Sequence, residues 1–421
     1  MSTPPITPWL GVIADDYTGA TDLAGMIART GMRVVQLLGV PEEGTAAIDA
    51  DCVVVALKSR SIPAEDAVAQ SVESARWLLS LGVEQLYFKY CSTFDSTDHG
   101  NIGPVADALA ALVSARSVVF APAVPEHGRT TYLGHLFVGD RLLSDSPLRD
   151  HPINPMTDSD LRRVLGRQTT TPVRLLDLST VRSGAAALEA MRAQTDGRVF
   201  HIADIVSDDD VVAIAEAARL DPLVTGGAAL GAALAALRSS TQSGAALAVP
   251  PGPALVLAGS CSAATRGQIA EHRVEHPVFT VDVYALDRGE DVVTQALAFL
   301  TENADAVPAV VASTDPESVR QIQEDLGVER SSQLVEAALG EIARGAVAQG
   351  FGRILVAGGE TSGSVVNSLG VRALRIGQEV APGVPWTVAE GEQPVALLLK
   401  SGNFGGPRIF ADALAIAEGS R

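Results

Sequence analysis

Short apolar runs alternate with alanine-rich amphipathic stretches along nearly the whole chain, the pattern of a parallel α/β sheet. In the first half, strands are predicted at Leu10–Ala14, Val34–Leu38, Cys52–Leu57, Gln85–Phe88, Ser117–Ala121, Val199–Ala203 and Leu223–Thr225. Helices are predicted near Gly19–Thr30, Ala64–Leu81, Ile102–Val113, Asp158–Leu165, Gly184–Gln194, Asp208–Arg219 and Ala228–Leu237. The stretch Ser239–Pro253, SSTQSGAALAVPPGP, has no clear period and is rich in Ser, Gly and Pro, so it reads as a linker. Strands then resume at Ala254–Ala258, Val278–Val283, Ala309–Ala312, Arg353–Val356, Arg372–Ile376 and Val395–Leu399. The helices expected with them lie near Ala264–His272, Asp291–Leu300, Pro316–Gln323 and Ser332–Gln349. Pro125–Pro155 stands apart as a long polar stretch with few helix or strand signals, and loops of that length in α/β domains are usually functional. The expected architecture is a two-domain α/β chain, residues 1–238 and 254–421 joined by the linker 239–253, each domain a largely parallel sheet flanked by helices.

Charge narrows the partners. The 421 residues carry 31 basic and 50 acidic side chains, a net charge of −19. A dedicated nucleic-acid binder would present a basic face instead, and an anionic substrate must here be received by locally placed cations. No apolar run approaches the ~18 residues of a membrane span, and Met1–Trp9 lacks the pattern of a signal peptide. Three cysteines (Cys52, Cys91, Cys261) are too few and scattered for a disulfide framework or a zinc knuckle; Cys91 and Cys261 read as small packing residues. A cytoplasmic location is expected. HExxH, GxSxG, GxxxxGK[ST] and a strand-borne GxGxxG are all absent, which argues against zinc proteases, α/β-hydrolases, Walker-type nucleotide sites and dinucleotide enzymes. The seven histidines show no metal-ligand spacing, and His127 and His135 fall in the long polar stretch. Only three of the basic residues are lysines (Lys58, Lys89 and Lys400), and each follows or ends a predicted strand.

Ligands of open α/β sheets bind beyond the carboxyl ends of the strands. The first strand runs into ADDYTGATD, with Asp15 and Asp16 adjacent. One aspartate can cap the following helix, worth about 1 kcal/mol, but capping needs only one. Neighbours on extended backbone point to opposite sides, which predicts separate jobs for the two. The third strand runs into LKSRS (Lys58, Ser59, Arg60), and the fourth into FKYCSTFDSTDHGN (Lys89, Ser92, Thr93, Asp95, Ser96, Thr97). The fifth runs into APAVPEHGRTT, which carries Arg129. Two lysines and two arginines are thus expected to converge on one crevice and receive an anion; the alternative is a set of strand-end charges reaching for solvent. In the second half, GSCSAAT, AGGETSGSV and KSGNFGG each follow an apolar strand. Glycines and small hydroxyls at such turns let backbone N–H groups close around phosphate oxygens, although any one glycine turn also serves ordinary chain reversal.

The stretches ADDYTGATD, KYCSTFDSTDHGNIGPV, APAVPEHGRTTYLGHLFVGD, PLRDHPINPMTDSDL, GGETSGSV and KSGNFGG, in this order, resemble the four-carbon acid sugar kinase family over almost the whole chain. KYCSTFDST followed by GNIGPV resembles its 3-oxo-tetronate kinase branch. Asp98-His99-Gly100 departs from the arginine-bearing loop of the threonate and erythronate kinases. The resemblance implies an N-terminal acid-sugar-binding domain, a C-terminal ATP-binding domain, and Mg2+-dependent phosphorylation of the 4-hydroxyl of a 3-oxo-tetronate. It implies Asp15, Asp16, Arg60, Lys89, Ser92 and Arg129 around the sugar acid. Thr93 and Asp95, on the same loop as Ser92, are expected to bind the acid with Arg60 and Arg129, and Asp15, Asp16 and Lys89 are expected to be the catalytic groups. Around ATP it implies Ser260, Gly358, Gly359, Glu360, Thr361, Ser362, Gly363, Gly402 and Asn403. Metal ligands, the choice of base between the aspartates, the role of Lys400 and a homo-oligomeric state stay open. The rival readings are a threonate or erythronate kinase of the same architecture and a non-catalytic sugar-acid sensor, which the three phosphate-suited turns disfavour.

Overall fold

The structure, a computed structural model, describes residues 7–42, 48–151, 154–193, 197–238, 247–312, 316–389 and 394–419. The chain divides into two compact units, Met1–Gly244 and Ala245–Arg421. Residues 239–246 of the expected linker lie outside the described residues. No helix among the described residues is long and apolar enough to cross a membrane.

In the first unit the strands are β1 (Leu10–Ala14), β2 (Val34–Leu38), β3 (Cys52–Ala56), β4 (Gln85–Lys89), β5 (Ser117–Ala121), β6 (Arg129–Tyr132), β7 (His135–Val138), β8 (Arg141–Leu142), β9 (Val173–Leu176), β10 (Val199–Ala203) and β11 (Leu223–Gly226). The main sheet runs β2-β3-β1-β4-β11-β5-β10-β9, parallel throughout. Every residue of β1, β3 and β4 is buried, which is why these strands read as continuous apolar runs rather than alternating ones. After β1 the chain moves outward to β2 and returns through β3, then crosses to β4 on β1's other flank. In open α/β sheets such a reversal is where ligands bind, here at the carboxyl ends of β1 and β4.

The polar stretch after β5 is not irregular. It forms a small antiparallel sheet, β6-β7-β8. Its hairpin tip carries Leu133 at φ +50°, a left-handed conformation unfavourable for leucine. The fully buried Asp204 holds the tip, accepting the N–H groups of Leu133 (2.8 Å), Gly134 (2.9 Å) and Leu178 (3.1 Å).

In the second unit the strands are β12 (Ala254–Ala258), β13 (Val278–Thr280), β14 (Ala309–Val311), β15 (Arg353–Ala357), β16 (Ala373–Ala381), β17 (Val384–Ala389) and β18 (Val395–Lys400). Their order is β13-β14-β12-β15-β18-β17-β16, with β17 antiparallel to both of its neighbours. β13 ends sooner than the sequence pattern predicts because Asp282 caps a short helix, Val283–Asp287, by accepting the Ala285 N–H. β17 contains Pro385, a residue that removes a ladder donor; it sits where the pairing with β16 is irregular. Trp386 beside it fills the core and donates its indole N–H to the Ala413 carbonyl at 2.9 Å. β12 and β15 flank this sheet's own reversal point.

Replacing Asp204 with Ala leaves three backbone donors without their acceptor and removes support for Leu133. Urea unfolding is expected to show a loss on the order of 3 kcal/mol.

Candidate active site

The first cluster lies at the ends of β1, β3 and β4. The Asp15 carbonyl accepts the N–H groups of Ser59 and Arg60, and the Asp15 N–H donates to the Lys89 carbonyl. Backbone alone therefore brings the residues after three strands together. Asp16 caps the helix Tyr17–Ala28, accepting the Gly19 N–H on Oδ1 at 3.1 Å. The two aspartates do not diverge as extended-chain alternation predicts. Arg60 bridges them: its Nε and Nη2 bind Asp15 at 3.0 and 2.8 Å, and Nη2 reaches Asp16 Oδ1 at 2.6 Å. Asp16 is itself still extended and the helix turns only after it; the Arg60 guanidinium, coming from the end of β3, is what spans both carboxylates.

Arg60 keeps Nη1, with two N–H groups, free of any partner among the described residues. Asp16 likewise keeps Oδ2 free, and its side chain is 28% exposed against 6% for Asp15. Burial pushes the Asp15 carboxyl up, against the opposing pull of Arg60 and Lys89. Burial would lower the Arg60 guanidinium, but the Asp15 and Asp16 carboxylates hold it above its ordinary value, so it stays charged.

Lys89 is buried and donates to the Tyr90 carbonyl at 2.9 Å. A Cβ on Gly19 would come within 2.4 Å of Asp16 Oδ1 and 2.9 Å of Lys89 Nζ, so only glycine admits both groups to the helix start. Lys58 is exposed, its ammonium 5.1 Å from the centre of the Tyr17 ring. The neighbourhood thus gathers Lys58, Arg60 and Lys89 against two carboxylates, a local cationic excess within a chain of charge −19.

The other expected acid-binding residues are placed differently. Thr93 donates to Asp95 at 2.6 Å, so these two satisfy each other, while the buried Phe94 packs edge-on against Tyr90 and anchors their loop. Ser92 is half-buried. Arg129 is turned onto its own loop, with Nη1 bonded to the His127 carbonyl, and its buried Nε has no partner. Among the described residues, no hydrogen bond or ion pair joins Arg129 to the Asp15–Arg60 cluster. His135 bonds the Leu133 carbonyl.

Two amides escape sequence reasoning. Asn101 Nδ2 reaches the carbonyls of Ser59 (2.5 Å), Ile62 (3.0 Å) and Arg60 (3.2 Å), fixing the loop that carries Arg60. Gln168 donates to Ser96 Oγ and the Thr97 carbonyl, both at 2.7 Å, and accepts the Gly103 N–H. Isolated Asn and Gln residues have no pattern that announces such roles.

In the second unit a cleft of about 300 Å3 opens at the ends of β12 and β15. Gly259, Ser260 and Gly358–Thr361 form its small polar end, and Val283, Val319, Ile322 and Val335 form an apolar wall. Cβ atoms on Gly259 and Gly358 would fall within 2.2 and 2.7 Å of Thr361 Oγ1, so glycine is what lets the two turns meet. The GGETSG stretch is not a loop: a helix, Gly359–Ser368, starts within it. Ser362 and Gly363 consequently lie further into that helix, away from the cleft lining among the described residues, and the Ser362 hydroxyl is buried without a partner. Gly402 and Asn403 are also outside the lining. Gly402 instead packs against the lining residue Ser260, where a Cβ would meet Ser260 Oγ at 2.3 Å. The Gly402 carbonyl accepts Ser262 Oγ (2.7 Å), Thr265 Oγ1 (2.8 Å) and Lys400 Nζ (3.1 Å). Lys400 is buried, and burial lowers its pKa to about 8.

The two units match, in turn, the models of a sugar-binding N-terminal domain over residues 10–234 and a nucleotide-binding C-terminal domain over residues 255–410. The chain belongs to the four-carbon acid sugar kinase family. Within that family it is 49% identical to a 3-oxo-tetronate kinase of Burkholderia multivorans, with 98% of each chain covered. It is 51% identical to one of Cupriavidus necator, covering 97% of this chain and 96% of that one. A solved Haemophilus influenzae structure superimposes with a TM-score of 0.89 at 39% identity, covering 97% of this chain and all of the other.

Two outcomes follow. Gly19→Ala crowds Asp16 off its cap, which should cost about 1 kcal/mol in chemical denaturation. For Lys400 the folded pKa lies below the ordinary 10.5, so the unfolded chain binds more protons between about pH 8 and 10.5 and stability rises with pH across that window. Wild type should therefore gain stability relative to Lys400→Met when unfolding is compared at pH 7.5 and 9.5.

Proposed function

We propose that the chain is an ATP-dependent kinase that phosphorylates the 4-hydroxyl of a 3-oxo-tetronate. The observation that carries the catalytic reading is the aspartate pair on Arg60: every oxygen of the pair is tied except Asp16 Oδ2, the one lone acceptor, on the more exposed carboxylate. The relatives' names supply the substrate.

Phosphoryl transfer asks for positioning and charge neutralisation more than covalent chemistry. In this reading the free Nη1 of Arg60 takes the substrate carboxylate, with Lys58 and Lys89 adding to the attraction. Asp15 aims Arg60 and carries no proton in the reaction. Asp16 Oδ2 accepts the proton of the substrate 4-hydroxyl as the hydroxyl oxygen bonds to the γ-phosphorus; the bond from that phosphorus to the β,γ-bridging oxygen breaks, and ADP leaves. The nucleotide occupies the cleft of the second unit, its base against Val319, Ile322 and Val335 and its phosphates toward Ser260 and the start of the Gly359–Ser368 helix. Arg129, Ser92, Thr93 and Asp95 serve the acid through their loops.

Mg2+ on the phosphates supplies charge neutralisation when bound. Among the described residues no three His, Cys, Asp or Glu side chains gather into a protein-built metal cage. A cation carried on phosphates needs only one or two carboxylates, and Glu360 on the cleft fits that demand.

The decisive assay is ADP release from Mg-ATP with 3-oxo-tetronates beside D- and L-threonate and erythronate. Turnover confined to the 3-oxo acids supports the reading; turnover with plain tetronates overturns the substrate and leaves the kinase. Asp16→Asn should lower kcat about 100- to 10,000-fold with little change in KM for the acid, and near-normal turnover would remove Asp16 as the base.

A further inference from the structure

The Gly402 carbonyl has two lone pairs, and two neutral hydroxyls, Ser262 and Thr265, already approach it at 2.7 and 2.8 Å. The Lys400 ammonium is a third donor at 3.1 Å, with a further bond to Thr265 Oγ1 at 3.2 Å. Folding does not need this cation to satisfy the carbonyl. Its burial is unfavourable, as the fall of its pKa to about 8 reflects. Three N–H donors belong to the group, and the third has no partner among the described residues. No carboxylate pairs with it there either. A buried charge that is surplus to the fold marks a functional demand.

The geometry says where that demand lies. Lys400 ends β18, and its backbone carbonyl accepts the Gly358 N–H at 2.9 Å, immediately before the helix that opens on the cleft. Its ammonium holds Gly402, whose α-carbon lies against Ser260 Oγ, and Ser260 lines the cleft. The main chain of Lys400 thus touches the Gly358 turn directly, and its side chain reaches the Ser260 turn through Gly402.

We propose that Lys400 is a positioning residue for the nucleotide phosphates: through Gly402, which packs on Ser260, its buried ammonium brings positive charge to the polar end of the cleft. This rests on the assignment of the second unit as the nucleotide site.

Lys400→Met and Lys400→Gln test it in the full-length protein, the glutamine variant keeping hydrogen-bonding capacity without charge. Both should raise KM for ATP and the Kd for ADP about tenfold, the size of one charge-assisted contact. KM for the acid and the Kd for adenosine should stay unchanged. Lys400→Met should match or exceed the wild-type Tm at pH 7.5, whereas Thr265→Val, which removes a neutral strut, should lower it. A merely structural lysine would do the reverse, lowering Tm on substitution while leaving the ATP-to-acid KM ratio alone, and that result overturns the proposal. Unaltered ADP affinity in Lys400→Gln does so too. Failure of the wild type to bind ADP would sink the nucleotide assignment and this inference with it, whereas intact wild-type binding unaffected in both variants sinks this inference alone.

Discussion

The salt bridge from Arg60 to Asp15 and Asp16 organises the first unit's site. Two carboxylates held this close would repel each other, and the buried one would favour its protonated form, without the guanidinium between them. With it, both are gathered on one side of the β1 end, and a single oxygen is left facing outward. The arrangement is costly in isolation, since charges leave water to make it, so it depends on its supports. Backbone bonds from Ser59 and Arg60 to Asp15, the Asn101 amide beneath the Arg60 loop, and the empty space at Gly19 each hold one side of it.

The second unit solves a different problem with the same sheet logic. The ligand proposed for its cleft, a polyphosphate, is large and highly charged, and the polar end of the cleft presents backbone and small side chains rather than long cations. Glycines at 259 and 358 let two strand-end turns approach through Thr361, and apolar helix faces close the far side. Lys400 is buried outside the cleft lining. In the role proposed for it, that placement adds charge without occupying the volume of the cleft.

Much of this was legible in the sequence because the central strands are buried on both faces. Continuous apolar runs end abruptly, and the residues just past the ends (Asp15, Asp16, Arg60, Lys89, Ser260, Gly358) are those that gather in each unit. What escaped was set by tertiary context. Pro385 disguised β17, which tolerates it at an irregular pairing. Glycine and serine disguised the Gly359–Ser368 helix, whose residues are poor helix formers. The β6-β7-β8 sheet looked like loop because its strands are short and mostly half-exposed, and it depends on a remote acceptor, Asp204. Alternation along extended chain misjudged the aspartates although Asp16 is itself extended, because one guanidinium is broad enough to bond both carboxylates. Asn101 and Gln168 act through single amides that no spacing rule detects.

The pair of amides has a consequence for how the family can diversify. Gln168 grips Ser96 and Thr97, and Asn101 grips the chain at 59–62, so the segment between them enters and leaves at fixed points. Asp98 and His99, in between, are exposed, with Asp98 held only by a surface pairing to Arg167. Such a segment behaves as a cassette at its two exposed positions: Asp98 and His99 can be exchanged without touching these anchors, whereas a Cβ on Gly100 would collide with Ser96 and the Thr97 carbonyl. Sequence change can concentrate at these two exposed positions while the Arg60 salt bridge and its supports stay as they are.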